Sequence, residues 1–320
     1  MPTDKWRPSA AISVLRQRAE ILQRLRSYFA ERQVLEVETP ALSHAASSEV
    51  HLQTMQVHAN GMLSGYLHTS PELAMKRLLA AGSGDIYQMC KVFRAGEQGK
   101  RHNPEFTLLE WYRVGYDMQA MMHDVAGLCV HVLPALFNTP PLTLSYREAF
   151  LDYAQIDPFI ATTAQLAEAY VEHTQEHVTD LERDAWLDLI QSVIVQPCLP
   201  RDRLVFITGF PAAQASLAKL DASDPQLACR FEVFAGGLEL ANGFEELTDA
   251  REQQQRITAE QARRAAMGLA RLPVDQHFLA ALQAGLPACS GVAVGVDRLV
   301  MLGTGQTEIS GVLSFEFDRA

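Results

Sequence analysis

No C-x-x-C pair occurs in this chain of 320 residues, and its five cysteines, Cys90, Cys129, Cys198, Cys229 and Cys289, are widely spaced. That spacing excludes a zinc knuckle or a disulfide framework. It fits reduced thiols in a cytosol, all five serving as packing residues. Neither G-x-G-x-x-G nor G-x-x-x-x-G-K-[ST] is present, which removes the Rossmann and P-loop routes to a nucleotide. No apolar run reaches the roughly 20 residues of a membrane span. Met1–Ala11 lacks the basic-then-apolar layout of a signal peptide. Repeats and low-complexity tracts are absent. So is a basic surplus: 27 Lys and Arg stand against 38 Asp and Glu, a net charge of −11 with pI ≈ 5.4. Binding nucleic-acid phosphates normally requires a basic face. The clusters at Arg16–Arg18, Arg24–Arg26 and Arg263–Arg264 alternate with apolar residues at helical spacing and read as solvated helix faces.

What is present is enough apolar material, 48% of residues, for one large core or one domain with an insertion. Ile12 to Gln33 reads as a helix, with Val14, Ala19, Leu22, Leu25 and Phe29 near one face. Val34 to Glu38 alternates as a strand that Pro40 ends. Ser70-Pro71-Glu72 has the cap, proline and acid of a helix start, and that helix stops at Gly82. Asp85–Phe93 and Phe106–Val114 read as strands joined by a long polar loop, Arg94 to Glu105, of the kind that often carries function. Asp117 caps a helix to about Phe137. The segment from about 145 to 200 looks mostly helical, without evident chemistry, and is taken as an insertion. Arg203–Thr208 is a strand, and Phe231–Ala235 with Leu238–Ala241 form a hairpin turning at Gly236-Gly237. Thr248–Met267 and Asp275–Ala284 read as helices. Val292–Val296 is a strand in which Gly295 permits close approach of a ligand, leading into a helix near Asp297. Antiparallel hairpins interrupted by helices indicate an α+β architecture.

Three segments concentrate the chemistry. Phe93-Arg94-Ala95-Gly96-Glu97 runs through His102-Asn103-Pro104-Glu105-Phe106 to Glu110-Trp111-Tyr112. Gly237-Leu238-Glu239-Leu240-Ala241-Asn242-Gly243-Phe244-Glu245-Glu246 is rich in acids, and Gly291-Val292-Ala293-Val294-Gly295-Val296-Asp297-Arg298-Leu299 supplies a second arginine. Arginines for a triphosphate, with carboxylates for a metal and a cationic substrate, point to activation of an amino acid by ATP. With Pro40, the two arginine segments resemble the three signature motifs of class II aminoacyl-tRNA synthetases. The Gly237–Glu246 segment, Thr69-Ser70-Pro71-Glu72 and the His102–Tyr112 run are similar to the lysine branch, and the likeness extends from about residue 12 to the end. Motif 1 lies close to the N-terminus, so no anticodon-binding domain is expected. The whole of 1–320 is then a single class II synthetase-like catalytic domain, a mostly antiparallel sheet flanked by helices, with the insertion at 145–200. The wording Glu239-Leu240-Ala241-Asn242-Gly243, Thr248 to Arg256 and Cys289-Ser290-Gly291-Val292-Ala293 resembles the family of truncated paralogues that ligate (R)-β-lysine to elongation factor P.

The resemblance implies formation of β-lysyl-adenylate from ATP and transfer to a lysine ε-amino group of the translation factor. It implies that Arg94 sits at the α-phosphate and Arg298 at the γ-phosphate, as the catalytic pair. His102 and Asn103 touch ATP, Phe106 stacks on adenine, and Glu232 and Glu239 hold Mg²⁺. Glu72, Glu110, Tyr112, Asn242, Phe244, Glu246 and Ala293 line the lysine pocket. Guanidinium groups suit phosphates because they bind oxygens in pairs and stay charged. A buried Glu110 requires a cationic partner, and a protein arginine would be the structural alternative to substrate. A cytoplasmic homodimer is implied, joined through motif 1 at Arg32 to Ser43, without stable tRNA binding. Two departures stand out. The Arg-x-Glu pattern of motif 2 has Gly96 at its third position, with Glu97 one place later. Ala293 replaces the middle glycine of motif 3, and one methyl shifts pocket preference by roughly 1–3 kcal/mol, in favour of an altered substrate such as a β-amino acid. A free-standing lysine-activating enzyme with another acceptor would share these residues. A non-catalytic regulatory paralogue would lose phosphate or metal groups, and Arg94, His102, Glu232, Glu239 and Arg298 are all present.

Overall fold

A computed structural model describes residues 4–47, 49 and 52–320. Residues 1–3, part of the N-terminal stretch read above, lie outside the described residues, as do 48, 50 and 51. The chain forms two compact units, Met1–Tyr116 with Leu247–Ala320, and Asp117–Glu246. The first begins with α1 (Ile12–Glu31), β1 (Leu35–Glu36), β2 (Leu42–Ser43), β3 (Gln56–Ala59), β4 (Met62–Leu67), α2 (Glu72–Ala80), β5 (Ile86–Phe93) and β6 (Glu105–Val114). The second holds α3 (Met118–Val132), β7 (Leu142–Ser145), α4 (Tyr146–Ala154), α5 (Thr163–Thr174), α6 (Arg183–Ile190), α7 (Gln196–Cys198), β8 (Val205–Pro211), β9 (Leu227–Ala235) and β10 (Leu238–Glu245). The chain returns to the first unit with α8 (Ala250–Ala266), α9 (Gln276–Gly285), β11 (Cys289–Gly295) and α10 (Val296–Thr304). The fold is α+β.

In the first unit β6 is the organising strand. It pairs antiparallel with β5 on one side and β11 on the other, while β1 joins β5 in parallel. Successive side chains of a strand point to opposite faces. Thr107, Leu109, Trp111 and Arg113 therefore share one face, and Phe106, Leu108, Glu110 and Tyr112 the other. Helix α1 covers the odd-numbered face: Phe29 stacks on Tyr87 with ring centroids 4.2 Å apart and meets the edge of Trp111 at 5.4 Å. On the even-numbered face Tyr112 packs in a second cluster with Met75 and Leu79 of α2 and Phe278 and Leu282 of α9. A small sheet, β2-β4-β3, stands apart.

The second unit has the strand order β10-β9-β8-β7, antiparallel except for the parallel pair β7 and β8. Its hairpin turns at Gly236 and Gly237, both at positive φ (58° and 81°), the conformation of the tight turn that favours glycine. Its core is Tyr146, Phe150, Trp186, Ile190, Val205, Ile207 and Phe234, so the helical segment from 145 to 200 packs onto one face of β8 and β9.

Several expectations need correction. The buried stripe of α1 is Val14, Ile21, Leu25, Tyr28 and Phe29; Ala19 is exposed. Arg18 belongs to that stripe rather than to a solvated face. It reaches buried Asp297 at 2.6 Å and donates to Thr107 Oγ1 at 3.0 Å. Arg264 is also buried, donating to the carbonyl oxygens of Ala270 and Glu49. Helix α3 ends at Val132, not near Phe137, because Pro134 disfavours helix at the residue before it. Strand β1 spans two residues only. All five cysteines are free, but Cys198 is exposed at the end of α7, so packing does not account for it. Among the described residues no helix is long and apolar enough to cross a membrane.

The Arg18–Asp297 pair ties α1 to the start of α10. Breaking a buried pair leaves one charge without compensation, so Arg18→Ala should cost about 3 kcal/mol, read as a lower urea midpoint with an unchanged slope. An unchanged midpoint would place the pair among ordinary surface ion pairs.

Candidate active site

The even-numbered face of β6 places Glu110 opposite Gln88 of β5 and opposite Ala293 of β11. Glu110 is only 2% exposed. Ser70 Oγ donates to its Oε2 at 2.7 Å, and Tyr112 OH donates to its Oε1 at 2.7 Å. Ser70 Oγ also accepts from the Glu72 backbone N–H at 3.0 Å, so one hydroxyl both starts α2 and fastens Glu110. One turn along α2, Lys76 Nζ lies 2.6 Å from Glu72 Oε1. Burial, then the neighbouring Glu72, push the Glu110 carboxyl up to about 7; the Ser70 and Tyr112 hydrogen bonds and Lys76 oppose the rise. Lys76, in contact with Glu72, supplies a positive charge near this pair of acids. Ala293 puts a methyl group directly beside Glu110 on the neighbouring strand.

The loop between β5 and β6 carries Arg94, Glu97, His102 and Asn103. Arg94 lies with its guanidinium carbon 5.0 Å above the Phe106 ring and donates to the Thr69 carbonyl at 3.4 Å. Glu97 reaches Arg94 at 3.5 Å, with Gly96 at φ +80° making the turn that brings it there. His102 Nε2 lies 2.8 Å from Arg298 Nη2, which joins the loop to the first turn of α10. The Asn103 amide donates to the Glu105 carbonyl and accepts from the Phe317 N–H, fastening the loop beside His102. At Gly295 an added Cβ would meet Arg298 Cδ at 3.7 Å, so the space beside this glycine is that of the arginine itself.

In the second unit the register of β9 and β10 sets Asn242 opposite Glu232, Phe244 opposite Arg230 and Glu239 opposite Phe234. Glu232 and Glu239 are therefore diagonal neighbours on one face. Glu232 is buried; its Oε1 takes Arg230 Nη2 at 2.5 Å and its Oε2 takes Gln191 Nε2 at 2.7 Å. Arg230 also donates to Asn242 Oδ1 at 3.3 Å. Burial raises the Glu232 carboxyl to about 7; Arg230 opposes the rise and Glu239 adds to it. Two hard-oxygen acids that repel each other fit a divalent cation, and Mg²⁺ needs only one or two carboxylates when phosphates complete its shell. Glu245 is paired with Lys219, whereas Glu246 is 3% exposed.

Residues 4–319 match the family model of class II tRNA synthetases (D, K and N). The chain belongs to that family. It is 48% identical over 326 aligned residues to elongation factor P–(R)-β-lysine ligase of Salmonella typhi, covering 99% of both chains. The proteins of the same name from Salmonella arizonae and Salmonella paratyphi B match to the same extent.

Four participants were not singled out by sequence. Lys76 and Arg230 sit among apolar neighbours at positions where a helix or strand turns them toward acids four and two residues away. Ser70 was read only as a helix cap. Gln191 lies in the segment that showed no chemistry, within a π-helical turn, Gln191–Val195; such turns are frequent at functional sites, but their register is invisible to periodicity. A carbon-13 titration of the glutamate carboxyls should find one at about 7 that disappears in Glu110→Gln. All side-chain carboxyls other than Glu232 titrating below 5 would contradict the described burial.

Proposed function

We propose that this chain activates (R)-β-lysine with ATP and transfers it to a lysine ε-amino group of elongation factor P. The observation that carries the reading is the buried Glu110, held by Ser70 and Tyr112 and flanked by Ala293: a prepared acceptor for an ammonium group, narrowed by one methyl. In the first step a substrate carboxylate oxygen attacks the α-phosphorus, the bond from that phosphorus to the bridging oxygen breaks, and pyrophosphate leaves. Negative charge grows on the α-phosphoryl oxygens and on the leaving group, so positioning and electrostatics dominate. Arg94 serves the α-phosphate and Arg298 the γ-phosphate. Their present companions, Glu97 and His102, keep both side chains extended until nucleotide replaces them. Phe106, now under Arg94, offers its ring to adenine, and Asn103 holds the loop that presents His102. In the second step the acceptor amine attacks the acyl carbon, AMP leaves, and the nitrogen loses a proton as the amide forms.

Glu232 and Glu239 would hold Mg²⁺, which neutralises phosphate charge when bound. Arg230 and Gln191 fix Glu232, and Arg230 extends the same hold to Asn242. Glu72 and Tyr112 line the amino-acid pocket beside Glu110. Residues 1–320 work as one catalytic domain with a helical insertion. The surplus of negative charge disfavours stable tRNA binding, and a translation-factor substrate places the enzyme in the cytoplasm. Motif 1 joins two copies: Leu35 and Leu42 are each about half exposed, an apolar edge suited to a homodimer.

Intact-mass measurement of elongation factor P after incubation with enzyme, ATP and (R)-β-lysine should show one added lysyl mass. An unmodified factor would refute the assignment. Arg298→Ala should reduce pyrophosphate exchange by at least about 10²-fold with unaltered thermal unfolding; near-normal exchange would remove Arg298 from its role. Sedimentation at micromolar concentration should give twice the 35.4 kDa chain mass, and a monomer throughout would exclude the motif 1 dimer.

A further inference from the structure

Among the five lysines of the chain, only Lys76 is buried, at 1% exposed. A buried ammonium is costly unless paired, and no phosphate-type or metal-binding role has been given to it. Helix α2 explains its place: Glu72 and Lys76 stand four residues apart, hence on one face, and their 2.6 Å contact lies beside Glu110. Ser70 links the two acids, donating to Glu110 while accepting from the Glu72 backbone. Glu72, Glu110 and Lys76 therefore stand together at the start of α2 and the middle of β6.

We propose that Lys76 is a positioning residue that keeps Glu110 ionised: its buried ammonium holds Glu72, so that Glu110 is ready to receive one ammonium group of the substrate. Without Lys76 two adjacent carboxylates would face each other, and such pairs share a proton rather than both ionise. Glu110 would then hold the shared proton for part of the time and be a poorer partner for the substrate ammonium. With Lys76 the acids stay separated in role, and a neutral side chain entering the pocket would leave Glu110 uncompensated. Lys76 thus acts on substrate choice through Glu72 and Glu110 without touching the reacting atoms. This inference rests on the reading of Glu110 as the substrate's partner.

The test is the pH dependence of kcat/KM for (R)-β-lysine in pyrophosphate exchange, measured on the full chain. The groups facing Glu110 are Tyr112 on its own strand, Ser70, Glu72 and Lys76 from the start of α2, Gln88 and Cys90 from β5, and Ala293 from β11. Burial and Glu110 itself push the Cys90 thiol up to about 12, so it stays neutral across the range measured. Lys76 favours the ionised form of Glu110, so removing it raises the carboxyl further. In Lys76→Met the acidic limb of the profile should therefore move to higher pH. At pH 7 the KM for β-lysine should rise about tenfold, the factor of one pKa unit, with recovery as pH increases and the KM for ATP unchanged. A purely structural lysine would not produce recovery with pH.

The double variant Glu72→Gln/Lys76→Met removes both the cation that favours ionised Glu110 and the acid that opposes it. Its acidic limb should return to the wild-type position, whatever its absolute KM. Replacing a buried ion pair by neutral groups is often tolerated, so this variant carries the test if Lys76→Met fails to fold. An unshifted limb in folded Lys76→Met, or a limb that stays displaced in the double variant, would overturn the proposal. Glu110→Gln separates the two levels: an unchanged β-lysine KM there would remove the underlying reading, whereas a raised KM there with no shift in Lys76→Met would remove Lys76 alone.

Discussion

A carboxyl group taken out of water has to be compensated, and Glu110 imposes that condition on its whole surroundings. It stands in the middle of β6, at 2% exposure, in the centre of a three-strand ladder. Its two oxygens already accept from Ser70 and Tyr112. Those bonds fix its orientation but bring no charge. The positive charge comes from Lys76 through Glu72, and on the proposed function the substrate ammonium completes it. Isolated, such a group would protonate; held in this cluster it titrates close to neutral pH, where a small change in its neighbours decides its state.

The same constraint recurs around Glu232. There a permanent guanidinium, Arg230, and an amide, Gln191, hold the buried acid, and Glu239 stands diagonally across the hairpin. Each unit thus sets a buried acid beside a resident cation. In the loop between β5 and β6, Glu97 lies against Arg94 and the His102 ring against Arg298; on the proposed function these are the contacts that nucleotide would replace. Such arrangements keep functional side chains extended and ordered, which lowers the cost of binding.

Much of the fold was legible because its elements follow local pattern, whereas the candidate site residues came from the resemblance to class II synthetases. Asp117 was recognisable as a cap, Gly236-Gly237 as a hairpin turn, and Phe106–Val114 as a strand, here buried on both faces. The residues that were missed depend on non-local geometry. Arg18 looked like part of a solvated basic cluster because its partner, Asp297, lies at the other end of the chain. Gln191 sat in a helix whose π-turn shifts the side-chain register. Lys76 was hidden by its surroundings, Met75 and Leu78–Leu79, which read as an ordinary amphipathic stripe. The length of α3 was misjudged because the apolar run continues through Pro134 into a turn.

The most direct measurement is pyrophosphate exchange with (R)-β-lysine set against L-α-lysine and against an (R)-β-amino acid of equal length that lacks the distal ammonium. The account expects β-lysine to be preferred and the uncharged analogue to lose most of its kcat/KM, because it leaves Glu110 without a cation. Comparable use of the uncharged analogue would contradict the account, since a buried carboxylate that accepts a neutral side chain is not reading charge.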